Sequence, residues 1–108
     1  MHTIRKTALV IGGVVAGAFA SAAWAHTPLC SCYDNGDGTV LCEGGFSDGS
    51  SASGVGMIVK DGSGNTILEG KMNENSEFEF NKPAGPYTVV FDAGEGHSIE
   101  ISHTDITE

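Results

Sequence analysis

The chain has 108 residues and a net charge of −9, with five basic residues set against fourteen acidic ones. That balance excludes a nucleic-acid-binding protein or one held electrostatically on anionic lipid, since both need a positive face. The length allows one domain with a thin core, a size at which an added staple often contributes to stability.

Residues 1–25 have the layout of a cleaved signal peptide. Arg5 and Lys6 form a short basic segment, and about 13 small or apolar residues follow without a charge, too few for the roughly 20 a membrane span needs. Ala23-Trp24-Ala25 is a small-x-small cleavage site that would leave His26 as the new N-terminus, although Ala20-Ser21-Ala22 also fits. Cleavage removes two of the five bases and none of the acids, taking the charge from −9 to −11. The expectation is a periplasmic or secreted protein whose mature domain, residues 26–108, does not insert into a membrane.

The remainder shows no capped helical periodicity. Turn residues recur every eight to twelve positions instead, the spacing of a β-sandwich. Asp34-Asn35-Gly36-Asp37-Gly38 is a tight turn joining strands over residues 29–33 and 39–43. Asp61-Gly62-Ser63-Gly64-Asn65 joins strands over 55–60 and 66–72. Glu77-Phe78-Glu79-Phe80 alternates, placing both phenylalanines on one face. Strands over 87–92 and 98–103 flank Ala93-Gly94-Glu95-Gly96, with Ile99 and Ile101 facing inward. The pattern predicts an all-β fold, a small Ig-like or transthyretin-like β-sandwich of six to seven strands.

Several of these segments together resemble one bacterial group. They are Phe46-Ser47-Asp48-Gly49, Ala52-Ser53-Gly54-Val55, Val59-Lys60-Asp61-Gly62-Ser63-Gly64-Asn65 and Leu68-Glu69-Gly70-Lys71-Met72. The block Tyr87-Thr88-Val89-Val90-Phe91-Asp92-Ala93-Gly94-Glu95-Gly96-His97 completes the set, and its end, from Asp92, is the most specific part. Over residues 46–97 the chain is similar to the periplasmic domain of the accessory component of energy-coupling-factor-type nickel and cobalt transporters. The hairpin portion is shared with carboxypeptidase-regulatory-like sandwiches. The resemblance implies a periplasmic domain that assists uptake of a transition-metal ion, with a membrane metal transporter or another envelope protein as partner. The three cysteines are not part of that family pattern.

Residue chemistry points to metal as well. A free α-amine on His26 and its imidazole Nδ1 could close a six-membered chelate ring, and a metal can displace the amine's proton at neutral pH. Pro28 lacks an N–H, so the binding mode that uses successive backbone amides stops there. Cys30 and Cys32 are two apart on a strand and face the same side, and the following turn folds Cys42 back over Cys32. Two outcomes are open for them. One is a Cys32–Cys42 disulfide with a spare thiol, favoured in an oxidising compartment. The other is a thiolate site on Cys30, Cys32 and Cys42 for a soft or borderline ion.

His97, following Gly96 at the mouth of the last strand, is the better of the two late histidines as a ligand. His103 lies about 20 Å further along an extended strand and cannot share an ion with it. Asp34, Asn35 and Asp37 imitate the start of a calcium loop, but its twelfth position is Gly45 where a glutamate is needed. No nucleophile elbow, His-Glu-x-x-His motif or phosphate loop occurs.

The function expected from the sequence is therefore non-enzymatic: a transition-metal-binding protein for nickel, cobalt or copper, with zinc also compatible. Its ligands would be His26 and His97, helped by the cysteines. The principal alternative is an interaction module that docks a partner through an edge strand. An enzyme using an N-terminal histidine to hold copper is a distant third.

Overall fold

A computed structural model describes residues 26–108; the expected signal peptide and cleavage site lie outside the described residues. Seven strands run in order: β1 (Pro28–Asp34), β2 (Thr39–Phe46), β3 (Gly56–Asp61), β4 (Thr66–Lys71), β5 (Glu77–Asn81), β6 (Tyr87–Asp92) and β7 (Ser98–Ser102). They form two antiparallel sheets, β1-β2-β5 and β4-β3-β6-β7, packed as a β-sandwich. A constant immunoglobulin domain would place the fourth strand beside the fifth. Here the tight β3–β4 turn keeps the fourth strand paired with the third.

The strands begin and end where they do because aspartates close the turns. Asp34 Oδ1 accepts the Gly36 N–H at 2.8 Å, and Asp37 Oδ1 accepts the Thr39 N–H at 3.0 Å. Asp61 Oδ1 accepts the Ser63 and Asn65 N–H groups, both at 2.9 Å. Gly36, Gly38 and Gly64 supply the positive φ angles these turns require. The crossing from β4 to β5 depends on Ser76, a non-glycine residue at φ 60°. Its hydroxyl accepts the Ala52 N–H at 2.9 Å and its carbonyl accepts the Gly44 N–H, also at 2.9 Å, which holds the strained turn against β2 and the β2–β3 connection.

Alternation then decides what is buried. Cys32, Val40, Cys42 and Phe80 face inward from the three-stranded sheet, and Met57, Val59, Tyr87, Val89 and Phe91 from the four-stranded one. Cys32 and Cys42 sit directly opposite each other and form a disulfide. With a sequence separation of 10, it closes a short loop and contributes about 2–3 kcal/mol. One lateral side of the sandwich is closed by the C-terminal segment: Ile106 is buried and the Thr107 carbonyl accepts the Asp34 N–H at 2.9 Å. The strand expected to run to residue 103 stops at Ser102, whose side chain caps a 3-10 turn over His103–Asp105.

Two measurements test this packing. A Cβ on Gly44 would come within 2.7 Å of Phe91 Cε1 and 2.8 Å of Met72 Sδ. Gly44→Ala should therefore lose about 1–3 kcal/mol in urea denaturation. Gly45→Ala, whose Cβ would have its nearest neighbour at 3.9 Å, should stay within about 0.5 kcal/mol of the parent.

The turn aspartates give the second test. Asp34 is held below its ordinary value of 3.8 mainly by the hydrogen bond from Lys82, and Asp37 mainly by the Thr39 hydroxyl. Asp61 is lowered chiefly by the Asn65 N–H. A carboxylate with a lowered folded-state pKa stabilises the fold above its unfolded value, and that contribution is lost as pH falls through the folded value. The urea midpoint should thus be level at neutral pH and decline below about pH 4.

Candidate functional site

His26 and His97, far apart in sequence, line one shallow pocket of about 350 Å³ together with Phe46, Ser50 and Ala93. The chain arrives there from three directions. His26 precedes β1, Phe46 ends β2, and His97 closes the β6–β7 turn. That turn is held by Asp92, whose Oδ1 accepts the Gly94 N–H at 3.1 Å and the Ser98 hydroxyl at 3.3 Å. The His97 N–H also donates to the Gly94 carbonyl at 2.9 Å. The imidazole is thus carried on a braced hairpin end.

Hydrogen bonding decides which ring nitrogens remain available. His97 Nδ1 lies 3.1 Å from the Glu95 carbonyl, which can only accept. Nδ1 therefore carries the proton, and Nε2 keeps its lone pair. His26 Nδ1 is 2.9 Å from Asp48 Oδ2. Asp48 is held below the usual carboxylate range chiefly by the Ser50 hydroxyl, with the Ser50 N–H and the His26 charge adding to it. Its ionised oxygen accepts from Nδ1, so in the neutral ring Nε2 is the nitrogen that keeps the lone pair. A carboxylate behind the imidazole is the arrangement that orients histidine ligands and raises their basicity in metal sites.

This geometry changes the expected chemistry of His26. The chelate sketched from the sequence uses Nδ1 together with the α-amine, and Nδ1 is instead engaged by Asp48. Asp48 was not anticipated, because in the sequence it reads only as the acid of an Asp-Gly-Ser turn. It does that work too, accepting the Ser50 N–H at 3.0 Å and the Ser50 hydroxyl at 2.6 Å.

The cysteines fall elsewhere. Cys32 and Cys42 are bonded to each other, so neither is a thiolate and the three-cysteine site is not formed. Cys30 is free and half-buried, and burial pushes its thiol up to about 11. It borders a different surface depression with Tyr33, Glu43 and Ser76. His103 lies at the other end of β7, its Nδ1 3.2 Å from the Tyr87 carbonyl and its ring 5.6 Å from the Tyr87 ring. His26 and His97 come together, then, while Cys30, Cys32 and Cys42 do not join them. Among the described residues no three His, Cys, Asp or Glu side chains converge in a ready-made ligand set. The pocket offers two imidazoles, each with its Nδ1 engaged by an oxygen.

Also among the described residues, no helix is long and apolar enough to cross a membrane. Comparison with protein-family models, curated proteins and solved structures finds no match.

The buried thiol yields a direct check. Burial lifts the Cys30 thiol to about 11, which lowers its thiolate fraction at neutral pH by more than the greater basicity returns in nucleophilicity. Cys30 in the native protein should therefore be alkylated about tenfold more slowly than an unperturbed thiol at neutral pH. Denatured, non-reduced protein should show a single reactive thiol.

Proposed function

We propose that this protein binds a transition-metal ion outside the cytoplasm, taking nickel, cobalt or copper at His26 and His97 and passing it to a membrane transporter or another envelope protein. The observation that carries this reading is the convergence of two imidazoles from distant parts of the chain on one pocket, with Asp48 fixing the tautomer of the first. Nitrogen ligands of this kind suit nickel, cobalt, copper and zinc, whereas calcium and magnesium prefer all-oxygen sites. The sequence resemblance of residues 46–97 to the accessory domain of nickel and cobalt transporters supports the same conclusion. So does the disulfide, which belongs to an oxidising compartment.

Two protein ligands leave the coordination sphere open to solvent, to a freed N-terminal amine or to a receiving protein. Such a site suits exchange more than permanent storage. It makes no demand for an enclosed catalytic cleft, and the proposed role is binding without turnover.

Isothermal titration with Ni²⁺ and Cu²⁺ tests the assignment. His26→Ala and His97→Ala should each weaken binding by at least about tenfold, or roughly 1.4 kcal/mol. His103→Ala should match the parent, because that ring is turned to Tyr87 at the far end of β7. Asp48→Asn should produce a smaller loss, since it keeps an acceptor but removes the charge. Equal, weak binding by the parent and all the variants would reject the metal site.

A further inference from the structure

The two lateral sides of the sandwich are finished differently. On the β1/β7 side the C-terminal segment bridges across, pairing Thr107 with Tyr33 and burying Ile106. On the opposite side, β4 and β5 are the end strands of their sheets and, among the described residues, pair with no further strand. They meet closely at one end, where a Cβ on Gly70 would lie 2.5 Å from Phe78 Cε1. Toward the other end they splay apart around a cleft of about 620 Å³ that reaches Val59 and Phe80.

Strand β4 is an open edge guarded only on one face. It is six residues long and contains no proline, and its charges, Glu69 and Lys71, fall on the opposite parity to Leu68, away from the cleft floor. Its two large apolar residues, Ile67 and Leu68, are 49% and 39% exposed. Leu68 pairs with the inward-facing Val59, so it belongs to the core face yet is left partly exposed. The rim is acidic: Glu69 and Glu79 border the cleft, and its one cation, Lys82, is already paired with Asp34 at 2.7 Å. A second copy of this chain would bring its own surplus of acid to that rim.

We propose that this side of the molecule binds an extended segment of a partner protein as an added strand along β4, with apolar residues alternating with lysine or arginine. The partner's backbone takes up the free ladder groups of β4, and alternate apolar side chains enter the cleft over Leu68 and Phe80. Its basic residues, on the opposite parity, stand beside Glu69. This is β-strand addition, with backbone pairing giving affinity and the alternation giving register. It is independent of the metal site.

The probe is a blocked peptide matching β4 in length, alternating valine and lysine, titrated into the ¹⁵N-labelled protein. One control alternates valine with glutamate, and another segregates the valines and lysines of the first peptide into two blocks. Shifts and slowed amide exchange should be confined to β4 and the cleft, and each control should bind at least about tenfold more weakly. Leu68→Lys should abolish binding. Glu69→Lys, an exposed change that leaves the core untouched, should weaken it if the first variant fails to fold. Equal binding of all three peptides, absence of binding, or shifts on the outer sheet faces would overturn the proposal. So would sedimentation as a dimer that Leu68→Lys dissociates, since β4 would then be occupied by a second copy.

Discussion

The arrangement depends first on the close approach of the sheets at Gly44. Phe91 is the largest fully buried side chain, and its ring edge occupies the space a Cβ on Gly44 would fill. Contact at this distance excludes solvent from the centre and fixes how β6 lies across β2. Phe46 stacks at a tilt against Phe91, with ring centroids 6.1 Å apart. Because Phe46 also lines the histidine pocket, the core contact and the candidate site are one continuous piece of packing. The end of β2 is placed by Phe91, and the end of β6, which leads into the His97 hairpin, belongs to the same strand as Phe91.

Much of this was legible in the sequence because hairpins are local. An aspartate that closes a turn and a glycine that accepts positive φ are properties of a few adjacent residues, so the three turns at 34–38, 61–65 and 93–96 could be read directly. The Asp34–Gly38 turn also fixes the register across it, which is why Cys42 could be placed over Cys32 and a disulfide between them stood as one of two outcomes. The pairings β2–β5 and β3–β6 are another matter. They join strands with no shared turn, and alternation says which face is buried without saying which strand lies alongside. The edge position of β4 follows from those pairings, so the open cleft had no sequence signal of its own.

The site was legible in part, for a related reason. Each histidine could be weighed on its own neighbours, His97 after a glycine at a strand mouth and His26 ahead of a proline. Their convergence is a tertiary fact. Asp48 escaped notice because its local role, capping the Ser50 turn, fully accounts for it in the sequence. The 3-10 turn after β7 did carry a readable signal: Ser102 and Thr104 exchange a hydroxyl contact at 2.9 Å, and a serine in this position commonly ends a strand by capping a turn. Periodicity through Ile99 and Ile101 outweighed it.

The two proposed surfaces are spatially separate, and that separation has a functional consequence. The histidine pocket lies at the Phe46 end of β2, whereas the cleft lies beside the part of β5 that pairs with Val40, Leu41 and Cys42. The run from Leu41 to Phe46 along an extended strand spans roughly 15–20 Å. No residue lines both sites. A partner strand laid along β4 would therefore leave the imidazoles uncovered. A partner could hold the protein at the cleft while an ion with open coordination positions is exchanged at the pocket. Docking and release would then be controlled by different residues, so a change at Leu68 would alter partner binding without altering metal affinity, and a change at His97 would do the reverse.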